Sequence, residues 1–510
     1  PALAVERARS LAQTTGVDAA IARGGLDFEA DQSVRAVVEQ VFQARGYAPM
    51  FVAGTVLSAD GQAVADAVLG ARAHGIDVVS PHEALLRERL AALEAAGDTS
   101  ALIGDLELDV DDEQRVLAFV KDNVAIDGTL PAHEAVFEIL AQPRADNPVP
   151  AFAQAIATLA ERLTAVAESA PALELTLAAC YAHHAAALRY RNLHSVTDEE
   201  AATNGWRLQD ASRHAEIVAA RVASSFQRAQ TSGFAAELAV LAPQFEQYPR
   251  LVAGLARYNE LRAAGGWGTV SVSGTIRPGQ RSAAIPAIRQ RLNAEGYFQG
   301  DLASTEHDAA LEAAVEQYQA THQLYENGDI TAELISSLNV PVERRIAQIE
   351  VALQKWRETR VAADEGGEFI YVNVPDFYGE LWDAGELVRR WRVVVGRDQN
   401  RRDADGNARG QTPLFSDRLR FLVFNPYWNV PDTVRREDYD PKIAEDPTWL
   451  ETNGFEIMNE GGREWLRQRP GPGNALGEVK FMFPNQYDVY MHDTPHKHLF
   501  GRPTRAYSLG

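Results

Sequence analysis

Cysteine is almost missing from this chain: Cys180 is the one thiol in 510 residues. A single thiol cannot build an internal disulfide framework, which leaves the cytosol or a bacterial envelope that keeps stray thiols scarce. Positive charge is also in short supply. The formal net charge is −22, whereas nucleic-acid binders neutralise phosphates with clustered Lys and Arg, so a nucleic-acid partner is argued against. An acidic chain suits cationic or zwitterionic partners, although most of this charge reads as solvated surface. No uncharged apolar run approaches the ~18 residues of a membrane span, and no basic, apolar, small-residue leader opens the chain. The expectation is a protein with no membrane span which, if exported, is a processed form beginning at Pro1.

What is present is ample material for folding. Hydrophobic residues make up 46% and charged residues 24%, an ordinary globular balance with length for roughly three domains of about 150 residues. In "SVRAVVEQVFQARGY" the residues Val34, Val37, Val38, Val41 and Phe42 fall on one helical face, and Gly46 supplies a stop. Similar alanine-rich periodicity recurs in "VADAVLGARAHG", "FAQAIATLAERLTAV", "LELTLAACYAHHAAALRYR" and "YPRLVAGLARYNELRAAGG". Residues 1–265 are therefore expected to be a helical scaffold of two lobes. The acidic "GDLELDVDDEQ" marks their division, and 100–150 reads as an insertion.

Composition shifts at "GGWGTVSVSGTIRPGQRS", a connector over 266–283. Three short helices are expected within 284–343, and a connecting helix over 344–365. From 366 the runs "EFIYVNVPDF", "LVRRWRVVVG", "RLRFLVFNPYWNVP", "VKFMF" and "YDVYMH" read as strands bounded by Gly, Pro, Asn and Asp. Between Pro431 and Gly477 the strands are expected to give way to a charged insertion, with 432–473 acting as a lid. The fold class is thus multidomain α+β.

Two segments resemble known families. The three-helix unit, with Gln317-Tyr318-Gln319, Asn327-Gly328, Thr331 and Leu338, resembles a peptidoglycan-binding domain. The ordered blocks "VNVPDF", "RVVVGR", "QTPLF", "FNPYWNVP", "GPGNALGEVKFMFPN" and "YMHDTP…F…RAYSLG" resemble the L,D-transpeptidase (YkuD-type) catalytic domain, in the large Gram-negative form that also carries a helical scaffold. "ARGYAPMF" resembles part of that scaffold. In that family a His is followed by a loop, then Ser or Thr, one residue, Gly and Cys. Here the positions are His492, Ser508, Leu509 and Gly510. The residue between Ser and Gly is often His in the family and is Leu509 here. The nucleophilic Cys is expected directly after Gly510.

The resemblance implies Cys acyl transfer between tetrapeptide stems of peptidoglycan, donor and acceptor, giving 3→3 cross-links between diaminopimelate residues. It implies no metal or organic cofactor, a periplasmic address in a Gram-negative bacterium, and cell-wall synthesis partners met through the scaffold. The alternative is a non-catalytic peptidoglycan-binding scaffold or anchor. A thiol with a free pKa of about 8.5 needs a neighbouring imidazole to supply thiolate at neutral pH. An oxygen beyond that imidazole fixes its tautomer, and the Asp493 region is placed for this. Backbone N–H groups around Gly510 would hold the oxyanion. Tyr427, Trp428, Asn474, Lys480 and Arg505 are the expected substrate contacts, with core packing the alternative for the aromatic pair.

Three tempting features receive plainer readings. Leu173, Leu177, Cys180, His184 and Leu188 form the stripe of a buried helix face, so "CYAHH" reads as core rather than as metal ligands or nucleophile. His496 and His498 flank Lys497 in a loop and are read as loop residues rather than zinc ligands. Arg505 on a loop is otherwise simply solvated.

Overall fold

The computed structural model describes residues 17–97, 169–190, 214–358, 367–397 and 410–508, apart from 28, 30, 54–55, 77–79, 414, 447 and 486. "FAQAIATLAERLTAV", the acidic stretch and the 100–150 insertion lie outside the described residues, as do Leu509 and Gly510. The chain divides into two compact units, 1–266 with 341–364, and 267–340 with 365–510.

The first unit is helical. Its helix Gln32–Ala44 buries Val34, Val37, Val38, Val41 and Phe42, the residues the periodicity selects, and Asp31 caps it by accepting the N–H of Ser33 and Val34. Around it pack Ala59–Leu69, Ser80–Gly97, residues 169–185, His214–Ser232 and Phe234–Leu241, sharing one apolar core that includes Phe51, Leu177, Tyr181, Phe226 and Phe234. A two-residue hairpin, β1 (Val52–Ala53) with β2 (Val56–Leu57), is stitched to this core by Glu174. That fully buried carboxylate accepts the backbone N–H of Met50, Phe51 and Val52, which explains why "APMF" leads into the hairpin. Burial pushes Glu174 up to about 7 despite those hydrogen bonds. Helix Val342–Glu358 packs on Gln247–Ala263 in the same unit, and Arg357 donates to the carbonyls of His74 and Gly75.

Cys180 is sealed in this core, and burial pushes its thiol up to about 12. It is a small apolar filler, not a nucleophile. His183, further along the same helix, turns to a buried acid: its Nε2 lies 2.9 Å from Glu29 Oε2, and His82 Nε2 lies 3.1 Å from the same atom. Burial alone would raise Glu29, but hydrogen bonds from both imidazoles and the Asp31 N–H hold its carboxyl well below the usual range.

The second unit begins with three helices, Ile285–Ala294, Ala309–Thr321 and Ala332–Leu338. Ile285, Ile288, Leu292, Leu311, Val315, Tyr318, Leu334 and Leu338 close their core. Gln319 shows why the segment carries its motif. Its Oε1 accepts the N–H of Asn327 and Gly328, and its Nε2 donates to Asn327 Oδ1 and the Asp329 carbonyl. Gly328 sits at φ +72, where a Cβ would also press within 2.9 Å of Glu312. The same turn region meets the β-rich part of the unit: Gln323 donates to the Pro375 carbonyl, Arg392 pairs with Glu326, and Arg502 donates to the Tyr325 hydroxyl.

The β-rich part opens with a meander of β3 (Phe369–Asn373), β4 (Tyr378–Asp383) and β5 (Glu386–Arg392), in that order. Next, β6 (Val395–Gly396) takes a parallel partner from the far end of the chain, β13 (Ala506–Ser508). The strands β7 (Phe421–Phe424), β11 (Val479–Met482) and β12 (Met491–His492) form one antiparallel sheet in the order 12-11-7. A second sheet, in the order 8-10-9, joins β8 (Trp428–Asn429) to β9 (Phe455–Glu460) and β10 (Arg463–Gln468). After Pro431 the strands give way, as expected, to short helical segments between Asp432 and Thr452, but they resume at Phe455. The insertion contains its own hairpin, turned by Gly461 and Gly462 at φ +60 and +81, and it pairs onto β8.

Candidate active site

The site grows from a turn. Asn474 is buried, donates to the carbonyls of Pro426 and Arg469, and accepts the Leu476 N–H. It shapes the "GPGNALG" loop rather than reaching outward. Gly477, at φ +63, follows; a Cβ there would come within 2.5 Å of the Asp493 side chain. Glycine lets Asp493 close on the turn, where its carboxylate accepts the Glu478 N–H and pairs with Lys497. Those contacts, against the effect of burial, hold Asp493 below its ordinary range. The Asp493 N–H donates to the Val479 carbonyl, which fixes the end of β12 against β11.

On that scaffold the backbone carbonyl of Asp493, not its carboxylate, meets His492 Nδ1. The neutral ring is thereby held as the Nδ1–H tautomer, leaving the Nε2 lone pair for a proton. His492 keeps exposed surface but is closely surrounded by protein. Desolvation lowers its pKa, the Asp493 hydrogen bond opposes that shift, and the Lys480 ammonium adds to it. Lys480 is the direct cross-strand partner of His492, and its Nζ stands 3.7 Å from the centroid of the Tyr490 ring. Tyr490 in turn lies 5.7 Å from the His492 ring and interacts electrostatically with Trp428. Trp428, Lys480, Tyr490 and His492 thus form one connected group.

The other expected residues are placed differently. Tyr427 is exposed and stacks under Arg467 at 4.2 Å. Trp428 also packs against Tyr439 and Phe455 in the core of the inserted hairpin, so it joins site and insertion. Arg505 is buried and donates to the carbonyls of Val393, Arg502, Pro503 and Phe377. Its guanidinium is occupied inside the fold, neither solvated nor turned to a substrate carboxylate. Ser508 ends β13, where its carbonyl accepts the Arg397 N–H. The partner strand is pinned by Gly396, whose N–H donates to Thr412 Oγ1 and whose missing Cβ would strike the Gly410 carbonyl at 2.1 Å. Ser508 is therefore held by sheet pairing.

Sequence reading missed Tyr490 and Gly477. Alternation along "YMH" puts Tyr490 and His492 on one strand face, which was a usable signal. Gly477 offered none beyond being glycine.

Comparison with known proteins meets this geometry. Residues 367–510 match the YkuD family, described as the L,D-transpeptidase catalytic domain. Residues 281–338 match the family described as "Putative peptidoglycan binding domain". A Haemophilus influenzae protein named "Putative L,D-transpeptidase" is 32% identical over 158 residues, 28% of this chain and 30% of that protein. The match thus covers less than a third of that relative's length. The second unit of this chain therefore carries a YkuD-type L,D-transpeptidase catalytic domain at 367–510, preceded by a peptidoglycan-binding domain at 281–338.

Proposed function

We propose that the protein is a peptidoglycan L,D-transpeptidase which joins diaminopimelate residues of neighbouring stems by 3→3 cross-links. The observation that carries the reading is His492, held through Nδ1 by the Asp493 carbonyl, with no hydrogen-bond partner for Nε2 among the described residues and a desolvated environment that favours the neutral ring. A general base needs that arrangement.

In this reading the nucleophile is a cysteine directly after Gly510. His492 Nε2 takes the thiol proton as sulfur attacks the carbonyl of the donor stem's third residue. Collapse of the tetrahedral intermediate breaks the amide to the terminal D-alanine, whose nitrogen receives the proton from His492. The acceptor amine then attacks the thioester, gives up a proton through His492, forms the new amide and restores the thiol. Water in place of the amine gives L,D-carboxypeptidation. The peptidoglycan-binding domain holds the enzyme to the wall, the periplasm supplies the substrate, and the helical unit offers surface for cell-wall synthesis partners.

The test is incubation of the full-length protein with disaccharide tetrapeptide, followed by mass spectrometry of protein and products. A dimer lighter by one alanine and a stem-sized adduct on the cysteine after Gly510 are expected, both lost on Cys→Ala. Sacculus binding with neither dimer nor adduct rejects the enzyme in favour of a wall-binding scaffold.

A further inference from the structure

Three side chains from separate segments of the helical unit converge in its interior. Glu29 lies in the loop before helix Gln32–Ala44, His82 in the first turn of Ser80–Gly97, and His183 on the helix over residues 169–185. All three are buried, with 3%, 9% and 8% of their surface exposed. Glu29 Oε2 stands 3.1 and 2.9 Å from the two Nε2 atoms, and one ligand atom from each residue falls within 4.8 Å of the others. The two rings are tilted by 34° with centroids 4.8 Å apart.

We infer that Glu29, His82 and His183 form a binding site for a divalent transition-metal ion of the zinc class, one that ties together three segments of the helical unit. Zinc bonds of ~2.0–2.2 Å in a tetrahedron put neighbouring ligand atoms ~3.3–3.5 Å apart. The observed separations from Glu29 need only small adjustments to reach this. Two imidazoles and one carboxylate suit zinc and its first-row neighbours; calcium and magnesium prefer shells of oxygen. The Asp31 N–H donates to Glu29 Oε1 at 2.9 Å and orients the carboxylate from behind. Binding requires each imidazole to present its Nε2 lone pair to the ion, which places the ring proton on Nδ1. Water completes the coordination shell.

The helical periodicity of "CYAHH" hid this site. It assigned "CYAHH" to a buried helix face, whereas the ligands come from three segments. Cys180 and His184 remain core residues, and burial lowers His184 to about 4.

The experiment uses the full chain, stripped with chelator and then equilibrated with zinc or cobalt(II). One zinc per chain is expected to survive desalting, with intense four-coordinate cobalt d–d absorption and a rise of about 5 °C or more in melting temperature at 100-fold excess over Kd. Glu29→Gln keeps the shape and should weaken zinc binding at least tenfold. His82→Gln/His183→Gln should abolish it. If the double variant fails to fold, the native protein still decides: absence of cobalt bands together with a melting temperature indifferent to zinc overturns the proposal and leaves a hydrogen-bonded clamp. Zinc retained equally by native protein and folded double variant overturns it too, because the metal is then elsewhere.

Discussion

In the helical unit two carboxyls are sealed in and matched: three backbone N–H groups converge on Glu174, and two imidazoles converge on Glu29. Along β11 and β12 the pattern is the opposite, with one nitrogen of His492 tied down and exposed surface left on the ring. The difference separates two uses of the same chemistry. A buried charge must have its hydrogen bonds completed or the fold loses stability. A reacting group must instead be oriented by one contact and left accessible through another. Reading a polar residue as functional therefore depends on which of its atoms are already occupied, and chemical type alone does not decide it.

The largest expected effect breaks the comparison at its open end. His492→Asn should lower the rate of dimer formation by on the order of 10²- to 10⁴-fold, the contribution of a positioned general base. Its melting temperature should stay within about 2 °C of native, since an exposed substitution seldom costs more than about 0.5 kcal/mol. Cross-linking rates and thermal melts on the same preparation check both halves. A variant that melts many degrees lower would put His492 among the structural residues.

Glu174 tests the sealed end through pH. Burial raises its pKa from the ordinary 4.5 to about 7, so in the unfolded chain it ionises at lower pH. Its stabilising contribution is full below about 4.5 and is lost as pH rises through about 7, a swing of about 3 kcal/mol. Glutamine imitates the protonated form and has no such swing. Denaturant unfolding at pH 4.5 and pH 8 should therefore show the stability difference between Glu174→Gln and native protein moving in favour of the variant by about that amount. His184, lowered to about 4, drives the opposite trend in both proteins and cancels in the difference. A difference that stays constant with pH would mean the buried carboxylate is not held protonated in the native state.

The same distinction explains what the sequence disclosed. Helix Gln32–Ala44 was legible because one face of regularly spaced valines can be buried only by a helix. The three-helix unit was legible because its motif residues have local tasks, as Gln319 does at its turn. The hairpin in the insertion should have been legible too: "FEIMNE" and "REWLRQ" flank Gly461-Gly462, a turn signal obscured by the charge around it. Arg505 and Asn474 could not be assigned from type and position alone. Both are long-range or loop-closing donors whose acceptors are main-chain carbonyls, such as Phe377 for Arg505 and Pro426 for Asn474, and carbonyls carry no sequence mark. The Glu29, His82 and His183 group was invisible for a related reason, since no spacing along the chain relates residues brought together only by packing.

The smallest effect sharpens the open end. Lys480 sits opposite His492 on the neighbouring strand, and desolvation lowers the pKa of both. The ammonium disfavours an imidazolium beside it, so removing it should let His492 titrate at higher pH. Lys480→Met keeps an apolar stem against Tyr490 while deleting the charge. The acid limb of kcat/KM should move to higher pH in this variant, because protonation now removes the base sooner, whereas Lys480→Arg should leave the limb near its native position. A substrate contact made by Lys480 would appear separately, as a higher KM on the pH plateau where His492 is neutral in every variant. An acid limb that does not move in Lys480→Met, or moves equally in Lys480→Arg, would show that the charge on β11 does not tune the histidine on β12.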